Sequence, residues 1–147
     1  MPLFTVSRAR TALSISNDLV TIVASASKPL RIYVVDIKGM DTTSAYNEVV
    51  MQRSSGGTGA GGALTVAKVN PGSAAASFFA YTTWSGQPSL SGELLWRFGP
   101  NSNGGIDKDV VLPGFEWSVP VSGMVSIRSA AGTGNVVLNL KIEEIDG

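Results

Sequence analysis

No stretch of this chain longer than ten residues carries apolar side chains every three to four positions, so an amphipathic helix cannot supply its core. Short apolar runs recur instead, cut by Gly, Pro, Ser and Asn clusters at roughly the 8–12-residue spacing of an antiparallel sandwich or barrel. The runs are "LFTVS" near the start, "LVTIVASAS" at 19–27, "LRIYVVDIKG" at 30–39, "NEVVMQR" at 47–53 and "ALTVAKV" at 63–69. They continue with "SFFAYTTW" at 77–84, "GELLWRFG" at 92–99, "FEWSVPV" at 115–121, "MVSIRSA" at 124–130 and "NVVLNLKIEE" at 135–144, after a short helical turn expected at "GSAAA". Nine or ten strands joined partly by long loops predict an all-β fold, an antiparallel two-sheet sandwich of jelly-roll type. Residues 1–10 read as an N-terminal segment and 11–147 as a single jelly-roll domain. In 30–39, Leu30, Ile32, Val34 and Asp36 are expected to face one way and Arg31, Tyr33, Val35 and Ile37 the other, as in an inner strand covered on both sides.

Between two of these strands lies "SSGGTGAGG", in which Gly57, Gly59 and Gly62 match the G-x-G-x-x-G spacing of a dinucleotide loop. Phosphate binding there requires a helix N-terminus after the glycines, whose free N–H groups and dipole hold the anion. "ALTVAKV" alternates as a strand and stops at Pro71-Gly72, so no nucleotide site is expected and the glycines read as a mobile surface loop.

The chain has no cysteine and no histidine. That removes disulfides, thiolate metal sites and the usual general base of nucleophilic catalysis. Eleven basic and eleven acidic residues are scattered evenly, which argues against nucleic acid or an anionic membrane as partner. No apolar run is long enough for a membrane helix, and the first residues lack the basic-then-apolar order of a signal peptide. Charged residues make up only 15% of the chain, which points to a surface covered by other subunits.

Several constellations have a functional and an ordinary reading. Asn101, Asn103, Asp107 and Asp109 around a Gly-Gly bend resemble an oxygen-ligand loop for calcium, but miss the EF-hand spacing, and Asx turns explain the same residues. Asp36 with Glu93, or Glu143 with Glu144, would be carboxylate pairs for glycoside hydrolysis, although adjacent strand residues such as Glu143 and Glu144 face opposite ways. Trp84 and Trp117 are candidate stacking platforms for sugar rings, with Trp84 the best candidate for exposure and Trp96 expected in the core. No catalytic, metal or cofactor-binding residue is assigned.

The C-terminal third, "VVLPGFEWSVPVSGMVSIRSAAGTGNVVLNLKIEE", resembles small jelly-roll virion proteins of tailed bacteriophages in its Leu-Pro-Gly, its Val-Pro before a Ser-Gly turn and its long final strand ending Glu-Glu. The strand order over residues 12–145 agrees with that resemblance. It implies a capsid decoration or cement protein, a homotrimer that binds the major capsid protein on the outer surface of the virion and is made in the host cytoplasm without a signal peptide. The alternative is a carbohydrate- or receptor-binding module of a tail or head fibre. Phe4, Arg8 and Arg10 are the expected capsid or subunit contacts, since the first ten residues carry two positive charges and no acid.

Overall fold

The computed structural model describes residues 2–112 and 114–146. Among them lie twelve strands and no helix: β1 (Leu3–Ala12), β2 (Asp18–Val23), β3 (Leu30–Gly39), β4 (Glu48–Ser55), β5 (Thr58–Ala63), β6 (Val66–Lys68), β7 (Phe79–Gly86), β8 (Ser89–Phe98), β9 (Ile106–Val110), β10 (Trp117–Val119), β11 (Met124–Ala131) and β12 (Asn135–Glu144). They form two antiparallel sheets packed face to face, as the turn spacing predicts. Sheet A runs β10-β3-β12-β1-β6, with β9 also paired to β3, and sheet B runs β5-β7-β2-β11-β4-β8.

Alternation supplies the core. From sheet A, Ile32, Ile37, Leu140 and Ile142 point inward, and from sheet B Ile22, Met51, Val125 and Ile127 meet them, all fully buried. Each such side chain contributes about 1.5–3 kcal/mol relative to an exposed one, so this double row is the main stabilising term.

Of the expected N-terminal segment 1–10, the described residues from Leu3 onward lie within the sandwich. Leu3–Ala12 is a strand of sheet A held between β12 and β6. Phe4, expected as a surface anchor, is completely buried, its ring edge-on to Phe78 at 5.5 Å. An anchor in the core cannot reach a partner without pulling β1 out of the sheet.

A bulge overturns the expected phase of β3. Ile32 pairs with Ile142 and Val34 with Lys141, which leaves Tyr33 without an opposite residue. The extra residue shifts the alternation, so Val35 and Ile37 join Leu30 and Ile32 inside while Val34 and Asp36 face outward. Nor is β3 covered on both sides, because Lys38 on its outer face is exposed.

The glycine stretch is strand rather than mobile loop. Ser55 pairs with Ser89, Thr58 with Gly86 and Ala63 with Tyr81, one continuous alignment in which β4–β5 and β8–β7 make a single antiparallel ribbon. β4 borders β11 and β7 borders β2, so the ribbon bends between these halves, at Gly56-Gly57 opposite Gln87-Pro88. Gly57 has φ +88°, and a Cβ there would lie 2.9 Å from the Trp84 ring. Glycine is needed for close approach, not for phosphate. "ALTVAKV" is not one strand: Ala63 ends β5, and the chain leaves sheet B there and joins sheet A at Val66, where β6 begins.

Candidate functional site

The two sheets differ in what covers their outer faces. On sheet B, Asp18, Thr21 and Ser126 point away from the apolar core and yet are at most 2% exposed. The ribbon corner closes over them. The Asp18 carboxylate takes Arg128 Nε at 2.6 Å, Thr21 Oγ1 at 2.5 Å and Ser126 Oγ at 2.6 Å. Trp84 Nε1 donates to Thr21 Oγ1 at 3.0 Å, and Arg128 Nη2 donates to the Pro88 carbonyl at 3.0 Å. From the other sheet, Arg8 Nη1 donates to the carbonyl oxygens of Asp18 and Leu19, and burial lowers its pKa. Every charge and hydroxyl is answered, so this cluster is a clasp between ribbon and sheet, with no group left to act on a ligand.

Among the described residues sheet A has no such cover. Across its outer face the register places Ser7, Asn139, Asp36 and Lys108 in one row and Thr5, Lys141, Val34 and Val110 in the next, with Lys38 beside Ile106 above them. Below, Leu3 and Val69 line a groove with Tyr33, Lys141 and Glu143. Val111 N donates to the Tyr33 carbonyl, which holds Val111 at the margin of this face. Apolar side chains therefore stand on this face, with Leu3 43%, Val69 52% and Val110 60% exposed, and the chain just beyond β9 adds Leu112 at 70% and Phe115 at 73%. Residues this large and this exposed mark an interaction surface.

Lysines accompany these side chains. Lys38, Lys108 and Lys141 are exposed, and among the described residues none forms an ion pair. The carboxylates on this face are Asp36 and Glu143, with Glu116 at its margin within electrostatic reach of Tyr33 and Arg31. Glu143 accepts from the Tyr33 hydroxyl and lies 3.9 Å from Arg31, and that hydrogen bond raises the Tyr33 pKa.

Of the expected contact residues only Arg10 is exposed, and it is tied to Asp41 at 3.3 Å. The tryptophans exchange roles. Trp84 is half-buried with its N–H engaged, whereas Trp96, expected in the core, is 45% exposed. Trp96 faces inward like its partner Met51, but β8 is an edge strand, so the ring lies at the open flank, 5.9 Å from Trp117 on β10. Trp84 and Trp117 belong to different sheets and form no common platform for a sugar.

The remaining constellations are structural. Asn101 Oδ1 accepts from Asn103 N at 2.9 Å, an Asx turn, and Asp107 Oδ2 accepts from Gly99 N at 2.8 Å. Among the described residues no group of three or more acidic side chains is placed to hold a metal. Asp36 and Glu93 lie on different sheets, with Glu93 bonded to Arg53, while Glu144 is buried under Ser77 and apart from Glu143. A cleft at one end of the sandwich is lined by Asp41, Tyr46 and Asn47. Its inward polar groups hold the chain: Asp41 accepts from Asn135, which lowers the Asp41 pKa, and Asn47 bonds Pro100, Ser102 and Gly134.

The sequence signals that could have found the open face were weak. Lys108 and Val110 sit in a segment that reads as a turn, and Tyr33 gives no sign of being a bulge. Compared with protein-family models, curated proteins and solved structures, the chain matches none.

Proposed function

We propose that this chain is a non-enzymatic structural protein of a bacteriophage virion, a decoration protein that binds the major capsid lattice as a homotrimer. The observation that carries the reading is the open outer face of sheet A, where Leu3, Val69 and Val110 stand exposed, whereas on sheet B the ribbon covers Asp18, Thr21 and Ser126. Such a face has no internal partner and suits a protein surface. The resemblance of the C-terminal third to phage virion proteins supplies the identity of that surface. Contact between copies falls to the opposite feature, the flank where Leu94 and Trp96 on β8 lie exposed beside Trp117.

Light scattering on the purified chain tests the assembly, and co-sedimentation with undecorated heads of the parent phage tests the binding. The reading expects a particle of three 15.3 kDa chains that pellets with heads and raises their resistance to heat. A monomer that stays in the supernatant would end it.

A further inference from the structure

We infer that the outer face of sheet A docks an acidic protein surface, an inference that rests on the reading above and adds the chemistry of the partner. Lys38, Lys108 and Lys141 stand on three neighbouring strands, β3, β9 and β12, around the exposed Val110 and the outward Val34. Asp36 sits among them, opposite Lys108, and Glu143 is held by Tyr33 and Arg31. Arg31 is offset by Glu143 and Glu116, which leaves the three lysines, with only Asp36 among them, as the cations without an ion pair among the described residues.

That imbalance selects the occupant. A second copy meeting this face about a two-fold axis would bring the same three lysines against their equivalents, and like charges placed together disfavour the pairing. A nucleic acid would satisfy the lysines, but Leu3, Val69, Val110, Leu112 and Phe115 between and beside them would lie against phosphate and lose water for nothing. A protein surface with apolar groups at its centre and carboxylates around them answers both parts. Rim charges act mainly on encounter rate and salt dependence, while the apolar side chains hold the complex.

The probe is an immobilised glutamate–tyrosine copolymer, with a lysine–tyrosine copolymer and a 30-mer duplex DNA as controls, followed by undecorated heads. The variants are Lys38→Glu/Lys108→Glu/Lys141→Glu, its gentler Lys→Gln counterpart, and Leu112→Ser/Phe115→Ser, each checked for an unchanged β spectrum. The intact chain should bind the glutamate copolymer at about 50 mM salt and release it near 1 M, where the screening length is about 3 Å. Charge reversal should weaken binding by about tenfold or more, the Gln variant by less, and oligomeric mass should not change. Equal binding by the intact chain and both lysine variants overturns the inference. So does a change in oligomeric mass on altering Leu112 and Phe115, which would make this a face between copies, or tighter lysine-dependent binding to DNA. If the copolymer results hold and heads are ignored, the capsid reading fails and the inference stands. If heads bind the intact and charge-reversed chains alike, the inference fails and the capsid reading stands.

Discussion

At the scale of single residues, burial rather than residue type decides which side chains matter for stability and which for contact. Phe4 and Phe115 are the same residue, one completely buried and one 73% exposed. Phe4→Ala should destabilise by about 3–5 kcal/mol and lower the melting temperature by roughly 10–15 °C, whereas Phe115→Ala should move it by no more than a degree or two. Calorimetry on the two variants checks this, and similar melting points would place Phe4 outside the core. Asp18 is a sharper case. Removing its carboxylate leaves the Arg128 side chain, only 14% exposed, without a counter-charge, and strips Thr21 and Ser126 of their acceptor. Asp18→Ala should therefore destabilise by about 3–5 kcal/mol. Adding Arg128→Met should recover only part of that loss, because the two hydroxyls stay unanswered. Full recovery in chemical denaturation would mean that the ion pair alone matters there.

Elements are where sequence and structure diverge most instructively. β11 and β12 were readable almost to the residue, since apolar residues recur at every second position, at Val125 and Ile127 and at Val136, Leu138, Leu140 and Ile142. β5 and β9 were not. "TGAGGA" has no side-chain pattern to read, and "IDKDV" turns its two aspartates toward the inner side of an edge strand, where charge discourages pairing with another sheet. The tryptophans were misplaced for a related reason: whether an inward-facing ring is covered depends on strand order, which local pattern does not carry. The glycine ribbon yields its own test. Gly56 and Gly57 both have positive φ, but only at Gly57 would a Cβ meet the Trp84 ring, while Gly56 has open space. Alanine at Gly57 should cost about 1–3 kcal/mol, and alanine at Gly56 distinctly less, the difference isolating the clash from the backbone strain. Equal losses would show that φ alone requires these glycines. Nearby, Asp41 ties the start of β12 to the end of β3, and hydrogen bonds from Asn135 backbone and side chain, then Arg10, hold its pKa below the ordinary value. A depressed folded pKa gives stability that is present above the unfolded value of about 3.9 and lost as pH falls through the folded one. The stability gap between the native chain and Asp41→Asn should therefore close only on the acid side. A gap that is constant down to pH 2 would remove the carboxylate from that account.

For the whole molecule, the asymmetry of the two sheets sets the dynamics and underlies the proposed docking face. β2 and β11 are paired on both edges, buried on the inner face by Ile22 and Ile127, and covered on the outer face by the ribbon clasp. Opening either strand requires breaking core, clasp and two ladders together, so their amides should exchange only through global unfolding. Sheet A is weaker at its margins: β6 and β10 have three residues each, and β9 is an edge strand with one partner. Their amides should exchange through local opening, well before those of β12, which is flanked by β3 and β1. An acidic partner on the lysine face would hold β9 against β3, so binding should slow exchange in β9 and at Val34 and Asp36 while leaving β2 and β11 unchanged. Hydrogen exchange read by mass spectrometry, with and without undecorated heads, measures both parts. Should β9 in the isolated chain already exchange as slowly as β11, the outer face of sheet A would be covered by other copies rather than open, and the asymmetry would belong to the single chain and not to the protein in solution.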